Sequence, residues 1–254
     1  EEKQMPVIPT KHLFEKNKNR EQLAYDIVKP IFPGAPPEAI KYELVKQGLL
    51  TKGSISLSLD IWPIVDKQLN TLMTSWDGPN VPVYILPIAH EHIKNGVAYR
   101  DGICLFVSER LSIKELHALI THEYHHMCRR LVTEDPPTLM DSLMMEGLAE
   151  DAVEHLFGSD TLGYWTQKYS MNEVQNYWES HFIRALDQKG LHHHIPYLFG
   201  HEQLNLPPCI GYCIGYQIVQ AFKERCGPFS IKELMHIKSE DIIDGAGFNR
   251  FSKN

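Results

Sequence analysis

The chain has 254 residues, 43% hydrophobic and 22% charged, enough to bury a core in one large domain or two lobes. A net charge of −7 at pH 7 argues against a nucleic-acid surface, and the only basic cluster, residues 16–20, reads as a solvated helix start. No apolar run approaches the length of a membrane span.

The sequence opens without a signal-peptide pattern. Glu1 to Gln4 read as a processing remnant and Met5 as a natural start, with a removed leader as the alternative. Five cysteines, at 104, 128, 209, 213 and 226, give an odd count without zinc-knuckle spacing. Buried free thiols in a reducing compartment are therefore expected, and with them a cytoplasmic location.

The first fifty residues read as helical. Residues 19–28 carry Leu23, Ile27 and Val28 at helical spacing, Pro33 to Pro37 break the chain, and residues 38–50 form a second amphipathic pattern. Residues 53–59 alternate Ser with Ile or Leu, the signature of a short strand. Ile61, Ile64, Leu69, Leu72 and Met73 predict a helix over 60–76, closed by Asp77-Gly-Pro. Two strands follow, at 81–86 and, after a polar stretch with Gly96, at 102–107. The second is expected either to offer a free edge to an extended peptide or to be simply buried.

Ser112-Ile-Lys-Glu115 is a capping box that opens a helix to about residue 131, and Ser230 to Glu233 repeat it ahead of another. The first of these helices carries His122-Glu-Tyr-His-His126, an H-E-x-x-H pattern. At about 100° per residue, positions four apart differ by only about 40° around the axis, so His122 and His126 leave one face. Two neutral imidazoles there can hold one Zn²⁺, with the Glu123 carboxylate beside it to take a proton from water. His125 points away and is a poor third ligand. Arg129 and Arg130, in the last turn, are expected to meet that helix's own terminal carbonyls.

Residues 133–137 make a turn, with Pro136 or Pro137 at the first position of a helix to about residue 157. That helix holds Glu146-Gly-Leu-Ala-Glu150. A catalytic zinc takes three protein ligands and keeps a fourth position open, and Glu146 on an antiparallel neighbouring helix can complete the set. Glu150, one turn on, can accept the outward N–H of a ligand histidine. Gly147 and Ala149 are small enough to let the two helices approach. By themselves Glu146, Glu150 and Glu154 make an acidic ladder on a solvated face; beside H-E-x-x-H, the ligand reading is stronger.

His-Glu-Tyr-His-His, Glu-Gly-Leu-Ala-Glu and Gly211-Tyr-Cys-Ile-Gly-Tyr216 together resemble a bacterial family of predicted zinc-dependent proteases. The family is grouped with the gluzincins, the thermolysin-like branch of the zincins, and the resemblance covers about residues 60–231. It implies His122, His126 and Glu146 as zinc ligands, Glu123 as general base and Glu150 as partner of a ligand histidine. It also implies an oxyanion donor from the C-terminal lobe. Tyr212, then Tyr216, at the start of a helix over 210–222, are the candidates, with core packing as the alternative for both rings. His192-His-His194 is a further candidate donor, but a polar loop before Pro196 is the stronger reading.

The expected fold is therefore α+β and zincin-like. A helical region at 1–58 precedes a lobe at 59–131 with a small mixed sheet and the motif helix, followed by a mostly helical lobe at 132–254. Residues 59–254 form one catalytic unit with zinc in the cleft. The expected function is a zinc metallopeptidase acting on a peptide or protein substrate, without nucleic acid or a membrane span. The alternatives are a zinc-binding regulatory or interaction protein of the same fold, and a metal-free helical protein. Nothing in the pattern specifies an oligomeric state.

Overall fold

The computed structural model describes residues 6–251, so the remnant at Glu1 to Gln4 and the start at Met5 lie outside the described residues. The chain forms two compact units, Glu1–Met127 and Cys128–Asn254. The class is α+β, with one small sheet and helices elsewhere.

In the first unit the strands are β1 (Val7–Ile8), β2 (Val83–Pro87), β3 (Lys94–Ala98) and β4 (Ile103–Val107). Their order is β1-β2-β4-β3, parallel throughout except for β3, which runs antiparallel to β4. Every residue of β2 and β4 is buried, which is why both read as unbroken apolar runs. Helices α1 (Arg20–Val28) and α2 (Pro37–Lys46) pack Ala24, Val28, Ile40 and Leu44 against Tyr84, Leu86, Cys104 and Phe106. The N-terminal helices thus cover one face of the sheet.

Two expectations here need correction, and of the two readings left open for the second strand the buried one holds. Residues 53–59 form no strand: the N–H of the buried Ile55 goes to the Phe14 carbonyl, 2.9 Å away, instead of into a ladder. Pairing beside β2 is supplied by β1, too short to show a period. The polar stretch around Gly96 is the strand β3, half-exposed and without alternation. Because β3 occupies the outer side of β4, β4 is central and has no free edge.

Helix α3 (Ile61–Trp76) ends at Asp77, which adopts the left-handed conformation at φ 57°. Helix α4 (Ile113–Arg130) begins at the expected box: Ser112 N–H donates to Glu115 Oε2 at 3.0 Å, and Glu115 N–H to Ser112 Oγ at 3.2 Å.

The second unit contains α5 (Leu139–Phe157), α6 (Met171–Tyr177), α7 (Leu191–Phe199), α8 (Ile210–Cys226), α9 (Ile231–His236) and α10 (Ser239–Gly245), joined by short helical turns. Helices α5 and α8 contribute Leu143, Met144, Leu148, Ile214 and Ile218 to a core completed by Trp178 and Phe182. Gly147 makes this packing possible, since a Cβ there would fall 2.2 Å from the Gly215 carbonyl oxygen on α8. Its small size therefore serves the contact with α8.

Pro136 and Pro137 precede the helix instead of opening it. Thr138 is the N-cap and forms a box with Asp141, which fixes the start at Leu139. The histidine triplet is no loop but the first turn of α7, with Pro196 inside the helix. His194 is fully buried, its Nδ1 2.7 Å from Ser142 Oγ and its Nε2 2.7 Å from the Gln188 carbonyl. Arg129 reaches away from its own helix end: Nη1 donates to the carbonyls of Met235 and Ile237, both at 2.6 Å, and Nη2 to Ser239 Oγ at 3.1 Å. None of the five cysteines forms a disulfide, and three of them are buried. No helix among the described residues is long and apolar enough to cross a membrane.

Candidate functional site

Helix α4 presents different chemistry on its successive faces. Toward α3, Tyr124 stacks on Trp76 with ring centroids 5.9 Å apart, and His125 meets the same indole edge-on at 5.6 Å. Tyr124 donates its hydroxyl to the Pro79 carbonyl at 2.9 Å, and Gln68 donates to Thr121 Oγ1 at 3.3 Å. His125 is thereby buried in packing.

On another side His122 and His126 stand one turn apart, ring centroids 4.6 Å from each other. Ligand atoms of His122, Glu123 and His126 all lie within 4.8 Å of one another. Glu123 and His126 are each only 7% exposed, and His122 is half-buried. Two imidazoles and a carboxylate, gathered on one helix at this separation, are a donor set that fits Zn²⁺.

The Glu123 side chain lies against β3. A Cβ built on Gly96 would come within 2.7 Å of Glu123 Cγ and 2.8 Å of its Oε1. The same side of the strand meets α4 again two residues earlier, where Lys94 Nζ lies 3.8 Å from Glu115 Oε1. Glu115 is held below the usual carboxylate range, first by the Ser112 backbone N–H. The motif-based reading missed Gly96. The signal that could have found it is a lone glycine inside a strand, which marks close approach to the strand backbone, but the stretch around Gly96 reads as polar and not as a strand.

In the second unit, Glu146 and Glu150 sit on α5 together with Glu154. Glu146 is half-buried and Glu150 is 5% exposed, so the ladder is no solvated face. Glu150 Oε1 accepts the Gly163 N–H at 3.1 Å. Trp165 packs its indole over Gly163, where a Cβ would fall 2.4 Å from Nε1. The Trp165 ring also meets Tyr212, centroids 4.9 Å apart, and Phe199 meets Tyr212 from another direction at 5.1 Å.

Tyr212 is half-buried, whereas Tyr216 is buried and donates its hydroxyl to Glu154 Oε2 at 2.6 Å. Burial, reinforced by that carboxylate, pushes the Tyr216 phenol well above its ordinary value. Its hydroxyl is therefore engaged within the unit. Of the triplet, His192 and His193 are exposed and His194 is enclosed.

Residues 61–244 match the model of a family described as predicted Zn-dependent protease (DUF2268). The chain is also 30% identical over 246 residues to the uncharacterized protein YjaZ of Bacillus subtilis strain 168, an alignment covering 88% of this chain and 93% of that one. A second protein of that organism, the uncharacterized YjfC, is 29% identical over 147 residues, or 54% of this chain and 48% of the relative.

Proposed function

The chain belongs to the predicted Zn-dependent protease family DUF2268, and from that premise we propose that it is a zinc metallopeptidase hydrolysing bonds in a peptide or protein substrate. One observation carries the reading: ligand atoms of His122, Glu123 and His126 lie within 4.8 Å of one another on α4. In this reading His122 and His126 hold Zn²⁺, and Glu146 is the third protein ligand. Bound zinc supplies Lewis acidity, which polarises a carbonyl and makes water a nucleophile near neutral pH.

Glu123 takes the proton of the attacking water and returns it to the leaving amine. Its burial keeps that carboxylate out of bulk solvent, so the proton has few competing destinations. Glu150 accepts the outward N–H of a ligand histidine and so fixes its tautomer. The Gly163 N–H on its Oε1 holds the carboxylate in one orientation. Tyr212 donates to the oxygen that gains charge as the carbonyl is attacked. Tyr216, whose hydroxyl is engaged by Glu154, steadies the same helix.

The test is zinc per chain, measured by elemental analysis on protein without a histidine tag, beside turnover of a peptide library. About one zinc per chain is expected, with a clear loss in Glu146→Ala. Glu123→Gln is expected to keep the metal and lose turnover by about 10²- to 10⁴-fold. A variant that cuts as fast as the parent would refute the role of Glu123. Full zinc with no turnover by the parent would favour a zinc-binding regulatory or interaction protein.

A further inference from the structure

Gly96 stands on β3 at the place where the strand backbone meets the Glu123 side chain. We infer that Gly96 is a positioning residue for Glu123: its missing side chain forms the seat in which the carboxylate rests. This inference rests on Glu123 serving as the general base.

Three atoms of the Glu123 side chain define the seat. A Cβ on Gly96 would overlap Glu123 Cγ at 2.7 Å, Oε1 at 2.8 Å and Cδ at 3.0 Å, so the carboxylate fills the volume that any other residue would occupy. The strand itself is held in place. It pairs with β4 from Lys94 to Ala98, and the Gly96 N–H goes to Asn95 Oδ1 at 2.9 Å. Asn95 is in turn anchored through Nδ2 to the Gln47 carbonyl at 2.9 Å and to Gln47 Oε1 at 3.0 Å. Farther along, the Tyr99 hydroxyl donates to Glu43 Oε1 at 3.0 Å. The N-terminal helical region thus fixes the strand from its far face.

Consequently, a methyl group added at Gly96 displaces the more compliant partner. The backbone is tied by a ladder and by the anchored Asn95, whereas the Glu123 side chain can change rotamer. Gly96 also lies outside the left-handed region, so alanine meets no backbone strain there. The carboxylate is the group expected to move, since its atoms are the nearest to the added methyl, and the zinc content reads whether the imidazoles of His122 and His126 stay.

The experiment compares Gly96→Ala with the parent in three ways: zinc content, crystal structure, and turnover of fluorescein-labelled casein. The expected result is unchanged zinc and melting temperature, a rotated Glu123 carboxylate, and kcat reduced by about 10- to 100-fold with KM little altered. Combining Gly96→Ala with Glu123→Asp withdraws the acid from the filled seat. The double variant should then lose less than the product of the two single losses. An unmoved carboxylate in the Gly96→Ala structure, or strictly multiplicative losses, would overturn the inference. A parent that cleaves no casein sinks the peptidase reading instead, and the position of the carboxylate in the variant structure still decides whether Gly96 forms its seat.

Discussion

Gly147 on α5 and Gly215 on α8 meet backbone to backbone. A Cβ on Gly147 would lie 2.2 Å from the Gly215 carbonyl oxygen, and one on Gly215 would lie 2.3 Å from the Leu143 carbonyl oxygen. Helix propensity alone favours alanine at either position by about 1 kcal/mol. The contact reverses that sign, because neither backbone can yield without separating two helices that share the core. We expect Gly147→Ala and Gly215→Ala each to destabilise the protein by about 1–3 kcal/mol, read as a lower urea midpoint. An alanine variant as stable as the parent would mean that the helices part easily.

The two tyrosines of α8 should separate cleanly under mutation. Tyr216→Phe removes the donor to Glu154 Oε2 and leaves a carboxylate beside a buried ring, so a stability loss of about 1–3 kcal/mol is expected. Tyr212→Phe keeps the ring contacts with Trp165 and Phe199, so its effect is expected chiefly on turnover. If Tyr212 is the oxyanion donor, its loss costs about 10²- to 10³-fold in kcat. Thermal melts and peptide turnover on the two variants check the division, and a Tyr212→Phe enzyme at full rate would move the donor elsewhere.

How much of this was legible in the sequence follows from where each signal is local. The box at Ser112 and Glu115 and the i, i+4 histidines of α4 are local chemistry, and both appear in the fold as expected. Strand β3 carries no alternation, because one of its sides meets α4 through Lys94 and Gly96 while Asn95 and Tyr99 are tied to α2 and its end. Residues 53–59 have the alternation but no neighbouring strand to use it. The histidine triplet looked like a loop because Pro196 follows it, yet the burial of His194 against Ser142 outweighs the one N–H that proline removes. Glycine's role at position 147 was visible as small size, but its partner helix lies 68 residues away and left no local trace.

Arg129 makes three hydrogen bonds within the second unit, to the Met235 and Ile237 carbonyls at the end of α9 and to Ser239 Oγ at the start of α10. Ser239 passes the connection on to Asp141 Oδ1 at 2.7 Å, at the start of α5. Burial pulls the guanidinium below its ordinary value, and the charges of Asp141 and Glu240 oppose that only in part. Lysine cannot reproduce a planar fork that reaches two carbonyls and a hydroxyl together. Arg129→Lys should therefore cost about 1.5–3 kcal/mol in denaturant titration, more than an exposed arginine would. A loss near zero would show that the carbonyls find water instead.

His194 gives the stability of the second unit a definite dependence on pH. Burial is the main cause holding its imidazole below the usual histidine value; the Gln188 carbonyl and Asp141 work against it, while His192 and His193 add to it. With Nδ1 facing Ser142 Oγ and Nε2 facing the Gln188 carbonyl, the neutral ring can accept from the hydroxyl and donate to the carbonyl. The unfolded chain binds its proton at about pH 6.5, whereas the folded protein binds it only at lower pH. Between those values the unfolded state holds more protons, so stability rises with pH. The contribution is complete above the unfolded value and falls away as the pH drops toward the folded one. Urea titrations from pH 7.5 to 5 should accordingly show a falling midpoint that flattens in His194→Gln, a variant less stable at pH 7.5 but less sensitive to acid. An unchanged pH slope in that variant would assign the acid sensitivity to another group.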